Sequence, residues 1–192
     1  MMLLTLVLIL SGISLAEAAQ PVSALAPFDT YADGFHDLRG IALDAAGAVF
    51  VADRDAGTVT RIGADLARTV IASGLERPIG LAFDPDGRLL VAEERAGRVV
   101  RIEFQGAPTP LLTDVKQPRW LALRDDGTLY VAARALTRGA DAEPDDESAE
   151  PEMILALTAD GRRAVFSDGF RDLQGLVANH ESVWAVSRCG SS

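Results

Sequence analysis

The chain has 192 residues and a formal charge of −10, enough for one domain with a core and too acidic for the basic footprint that nucleic acid requires. Two histidines and one cysteine, Cys189, leave no material for a histidine-rich metal centre, an internal disulfide framework or a C-x-x-C site. Cys189 offers a free or intermolecular thiol.

Met1 to Leu10 is apolar and leads to Ala16-Glu17-Ala18, the small-x-small pattern of a signal cleavage site. Residues 1–18 therefore read as an export signal, and the mature chain is expected in a periplasmic or extracellular setting. No Lys or Arg precedes Arg39, so the positive start of such a signal is missing. The apolar stretch is too short for a stable membrane span. Residues 19–27 form an Ala/Pro-containing lead-in.

From Phe28 the sequence repeats. FDTYADGFHDL (28–38) reads as a spacer strand. RGIALDAAGAVFVAD follows, anchored on Gly40. Forty residues later comes IGLAFDPDGRLLVAE, anchored on Gly80, and forty later again RWLALRDDGTLYVAA, with Trp120 at the anchor. A fourth copy, QGLVANHESVWAVS, is anchored on Gly175. The turn glycines Gly47, Gly87 and Gly127 keep the same spacing. In the fourth copy Glu181 takes that place and the copy is one residue shorter.

The second copy is the plainest. IGLAF (79–83), RLLVAE (88–93) and RVVRI (98–102) read as strands, separated by turns at Asp84-Pro85-Asp86-Gly87 and Ala96-Gly97. A spacer strand completes each unit of four. Repeats of about 40–45 residues built from four strands are β-propeller blades. The expected fold is all-β, with blades near 35–74, 75–114, 115–169 and 170–192. About three and a half blades are present, with 15 strands in register order. An arc of that size implies a part of a longer ring.

The anchor glycines fit crowded strands near the axis. Trp120 either fills a wider gap in the core or lines a site. The third unit carries an insertion, 138–152, in which seven carboxylates fall within twelve residues, from Asp141 to Glu152. Two prolines and the absence of large apolar residues predict a solvated loop. Joining second and third strands, it lies on the same end of the ring as the fourth-to-first connections, the expected working face.

The unit PxGLAFDPDGRLLVAExxxGRVVRI resembles the NHL-type propeller repeat. It is similar also to repeats of the gluconolactonase-like, virginiamycin B lyase-like and soluble sugar dehydrogenase propellers. The resemblance to gluconolactonase-like enzymes implies a divalent metal, held by a Glu and several Asn/Asp residues. Their Pro-Asn-Gly motif falls here on Arg77-Pro78-Ile79-Gly80, which supplies no asparagine, and Asp37-Leu38-Arg39-Gly40 lacks their Glu-Gly-Pro. The dehydrogenases imply a quinone and a catalytic histidine; His36 lacks the flanking motif. The lyase-like family implies a His and a Glu in distant blades.

Three sets of residues are candidates for chemistry. His36-Asp37 and Arg171-Asp172 occupy matching fourth-to-first loops, where a His beside a carboxylate can act as a general base; equally, such Asp residues cap turns. Asp53 and Glu93 end equivalent strands in neighbouring blades and could share calcium or another divalent cation; equally, they pair with Arg54 and Arg95. The acidic loop could bind calcium but lacks the spaced D-x-D-x-D-G pattern of a preformed site, which favours a solvated insertion; beside these sets, Trp120, Arg54 and Arg134 are expected on a ligand-binding face for a small molecule or a protein. The expected function is an exported scaffold that binds a ligand or protein. The alternative is a metal-dependent lactonase or lyase, or a sugar-dehydrogenase-like propeller, with remaining site residues beyond Ser192.

Overall fold

The computed structural model describes residues 31–103, 107–136 and 151–187. The expected signal, the lead-in, most of the acidic insertion and Cys189 lie outside the described residues. Among those described, no helix is long and apolar enough to cross a membrane.

Four sheets follow one another along the chain. Blade 1 is β1 (Leu38–Leu43), β2 (Val49–Asp53), β3 (Thr58–Ile62) and β4 (Arg68–Ala72), hydrogen-bonded in that order and antiparallel throughout. Blade 2 repeats the order with β5 (Pro78–Phe83), β6 (Leu89–Glu93), β7 (Arg98–Ile102) and β8 (Thr109–Leu112). Blade 3 consists of β10 (Trp120–Leu123), β11 (Leu129–Ala133), β13 (Glu152–Leu157) and β14 (Arg163–Phe170). A half-blade, β15 (Leu173–Ala178) with β16 (Val183–Ser187), follows. These are the expected all-β propeller blades.

Two details depart from the sequence reading. The spacer strand expected over 28–38 does not form in its described part: the ladder starts at Leu38. The backbone N–H groups of His36 and Asp37 bond the Asp53 carboxylate instead of a strand partner. An extra two-residue ladder also appears. β9 (Val115–Lys116) pairs with β12 (Ala135–Leu136) and ties the base of the insertion to the loop entering blade 3. Sixteen strands are thus described, against the 15 expected.

Alternate residues of a strand point to opposite faces, so a blade between two others needs apolar residues at nearly every position. β6 and β11 are buried along their whole length. Phe50, Val59, Leu81, Val91 and Val100 fill the space between blades 1 and 2, where the rings of Phe50 and Phe83 meet edge-to-face at 4.9 Å. Val99, Leu121, Val131 and Leu155 do the same between blades 2 and 3. Tyr130, Ile154 and Leu173 fill the joint between blade 3 and the half-blade. Each fully buried valine or leucine contributes roughly 1.5–3 kcal/mol. The flanking faces have no such cover: Ile41 is 71% and Val186 64% exposed.

The anchor positions explain themselves in space. A Cβ on Gly40 would overlap the Ile79 carbonyl oxygen, and one on Gly80 the Arg119 carbonyl oxygen. Backbone of the next blade occupies the space a side chain would need. At the third joint Trp120 stands in that place, half-buried against the Tyr130–Leu173 cluster, and its indole N–H donates to the Leu173 carbonyl at 2.9 Å. It packs into the joint and anchors the half-blade at once.

Candidate functional site

Antiparallel order divides the loops between two ends. The β1–β2 and β3–β4 turns and their equivalents lie at one end, here the turn end. The β2–β3 and blade-to-blade connections lie at the other, the loop end. At the loop end each blade buries a carboxylate that holds incoming backbone. Asp53, closing β2, accepts from the N–H groups of His36 at 2.8 Å, Ala56 at 3.1 Å and Asp37 at 3.2 Å. Burial alone would raise this carboxyl, but those three donors outweigh it and hold it below its ordinary range. Glu93, closing β6 and fully buried, accepts from the N–H of Glu76 at 2.8 Å and from Arg98 Nε at 2.5 Å. In blade 3 the equivalent position is Ala133, and Glu152 takes over from the third strand, accepting the N–H of Leu173.

Glu152 corrects one expectation. Counted with the solvated acidic loop, it is instead the first residue of β13 and 6% exposed. The alternative pairing of Asp53 and Glu93 with Arg54 and Arg95 is not formed either. Asp53 binds backbone, and Glu93 binds backbone and Arg98.

One residue past the second strand, the repeat places Arg54, Glu94 and Arg134. Glu94 is 8% exposed and gathers three guanidiniums: Arg77 Nε at 3.4 Å, Arg119 Nε at 3.4 Å and Arg54 Nε at 3.5 Å. The network continues outward. Arg54 Nη1 donates to Asp37 at 3.0 Å, Asp37 also pairs with Arg39 at 2.8 Å, and Arg119 Nη1 lies 3.6 Å from Glu152. The Arg54 hydrogen bond is the largest influence holding Asp37 below the usual carboxylate range. Arg54 Nε and Glu94 Oε2 are buried and each lacks a well-formed hydrogen bond. A buried polar pair left in that state is under-satisfied.

This cluster opens into a cavity of about 690 Å³, within the size range of metabolite sites. Its wall includes Arg54, Arg77, Glu94, Arg119 and Arg134. Three wall residues, Arg77, Asp114 and Gln117, have φ of +56°, +60° and +48°, the left-handed region that non-glycine residues seldom occupy. Asp172 repeats this conformation at the same point of the half-blade. A second cavity, of about 520 Å³, lies at the turn end between blades 2 and 3, among turn residues and core leucines.

The sequence candidates distribute as follows. Arg54 and Arg134 both line the larger cavity, and Trp120 sits in the adjoining joint. Asp37 lies behind Arg54 as its ion-pair partner. His36 is 76% exposed, with Nδ1 3.4 Å from Asp53; Asp37 pairs with Arg39 and Arg54, and Asp172 accepts from Gln174 Nε2 in the half-blade. Sequence reading missed Glu94, Arg77 and Arg119 as a unit. The available signal was the register position 54/94/134, which reads Arg, Glu, Arg.

A divalent cation of the kind implied for gluconolactonase-like propellers does not fit these residues. The positions where that family carries Pro-Asn-Gly hold Pro78-Ile79-Gly80, Asp53 and Glu93 spend their oxygens on N–H donors, and no group of three or more His, Cys, Asp or Glu among the described residues could hold a metal.

No family model and no curated protein sequence matches the chain. Solved structures do match its fold. A gluconolactonase of Xanthomonas campestris superposes with a TM-score of 0.65 at 20% identity, over 77% of this chain and 52% of that one. A chain of a nidogen/laminin complex gives 0.59 at 19% identity, over 72% and 51%. A virginiamycin B lyase of Staphylococcus aureus gives 0.50 at 15% identity, over 78% and 63%. The chain spans about half the length of the first two. Sheet order, strand register and these likenesses together make the fold an open arc of β-propeller blades, of the kind found in gluconolactonase-like, lyase and nidogen/laminin structures.

Proposed function

We propose that this protein is a propeller-type binding module that takes a small polar molecule in the loop-end cavity. The convergence of Arg54, Arg77 and Arg119 on the single buried Glu94 carries the reading. Fixed, partly dehydrated charges from two neighbouring blades and the loop entering a third are costly for stability and well suited to recognition. A thermal-shift screen of small polar metabolites tests it. A hit raises the melting temperature of the wild type and loses that effect in Arg119→Gln. A hit that stabilises both forms alike places binding elsewhere.

A second reading, lactone hydrolysis, is supported by the likeness to the gluconolactonase fold. It requires ligands that the described residues do not supply. Hydrolysis of a sugar lactone by the purified chain, dependent on an added divalent ion, would favour it over the binding module. Export is part of the proposal and is supported by the apolar run before Ala16-Glu17-Ala18. Sequencing the mature N-terminus tests it; an intact Met1 would oppose it.

A further inference from the structure

The loop-end cavity is lined by basic side chains in excess of acidic ones. In a chain of formal charge −10, the wall of this cavity holds six basic side chains, Arg54, Arg77, Arg95, Lys116, Arg119 and Arg134, against two acidic ones, Glu94 and Asp114. A concave site lined by one sign of charge concentrates ligands of the other sign, even on a molecule whose surface repels them.

The geometry within the cluster is more specific than the count. Glu94 meets each of its three arginines through Nε, the inner nitrogen. Arg54 spends an outer nitrogen on Asp37, and Arg119 places one near Glu152. Arg77 makes no such second pairing with a described residue. Its side chain is 43% exposed, and it stands on backbone held at φ +56°. Glu94 thus acts as an internal counter-ion that lets guanidiniums gather without an occupant, while Arg77 keeps its two outer donors for one. That fork matches two oxygens of one oxyanion.

We infer that the cavity binds a small oxyanion carrying two or more negative charges, a phosphate ester or a polycarboxylate, with Arg77 as its principal contact and Arg119 and Arg95 beside it. This rests on the small-molecule reading of the same cavity. A neutral sugar would leave the outer nitrogens of Arg77 without a charged partner. A single carboxylate would engage one fork and leave the neighbouring arginines facing each other.

Isothermal titration of the full chain with inorganic phosphate, citrate and glucose separates the possibilities. Saturable binding of phosphate or citrate is expected, with glucose silent. The tighter of the two anions identifies phosphoryl or carboxylate as the preferred group. Affinity should fall on the order of tenfold or more in Arg77→Gln, the loss expected for a charge-assisted contact, and should weaken steadily with added potassium chloride. Arg95→Gln provides a second variant should Arg77→Gln fail to keep the wild-type melting temperature. Glucose binding with both anions silent would overturn the anion assignment and leave the cavity reading standing. Silence of all three would overturn both. Anion binding unchanged in both variants would overturn the assignment to this cavity.

Discussion

At the turn end, Asp44 Oδ1 accepts the N–H groups of Ala46 and Ala48, and Asp84 Oδ1 accepts those of Asp86 and Arg88. Asn179 serves the half-blade in the same way, toward Glu181 and Ser182. Every one of these bonds closes within four residues. At the loop end, Arg119 reaches Glu94 across 25 residues, and Arg54 meets Glu94 one full repeat away. A polar group that satisfies its own hairpin can be reused from blade to blade; in blade 3 Asp126 takes the role, accepting the Thr128 N–H. A polar group that satisfies a neighbouring blade cannot, because each copy faces a different partner. Repetition therefore marks the scaffold, and loss of repetition marks the place where charges act together.

The sharpest way to break this contrast is at its hub. Glu94→Gln should destabilise the fold by about 2 kcal/mol in urea unfolding, since three partly exposed arginines lose their shared counter-ion; fully buried pairs cost more. A cost near zero would mean that the guanidiniums are neutralised elsewhere.

Asp53→Asn comes next, at about 2 kcal/mol near neutral pH, because its three N–H donors lose a charged acceptor. It also carries a pH signature. The folded carboxyl sits below its ordinary value, so its stabilisation is complete above about pH 4 and is lost as pH falls through the folded value. Unfolding curves of wild type and variant should converge with acid. Parallel curves down to the acid limit would remove Asp53 from the acid response.

Gly87→Ala probes the turn end. At φ +76°, with nothing near its missing Cβ, the cost is about 1 kcal/mol from backbone alone, and anion binding stays unchanged. The smallest effect is expected at Arg162→Ala. This side chain is 82% exposed in its pair with Asp160, so no measurable shift in melting temperature should follow.

Much of the fold was legible in the residues. The forty-residue spacing of Gly47, Gly87 and Gly127 marks the hairpins, and 98–102 is the strand the sequence predicts, end to end. These features are local and repeat. The loop-end cluster was only partly legible. Arg54 and Arg134 stood out, but the meeting of Arg77, Glu94 and Arg119 depends on how blades turn about their axis, which no single repeat encodes. Glu152 was misplaced for a related reason: its acidic neighbours suggest solvent, whereas the Leu173 N–H and Arg119 draw it into the structure. The fourth turn is one residue shorter: Asn179 Oδ1 accepts from the N–H groups of Glu181 and Ser182, and Glu181 does not take the positive φ that Gly47, Gly87 and Gly127 adopt.

The anchor residues also act as a curvature code. Successive blades spread like the ribs of a fan, and the thickness of the wedge at the inner edge sets the angle between ribs. Gly40 and Gly80 make that wedge as thin as backbone allows, while Trp120 inserts an indole into the next one. The joints therefore differ at the inner edge: backbone meets backbone at two of them, and an indole stands at the third. Exchanging glycine and tryptophan between joints would change the diameter of the circle on which any further blades must lie.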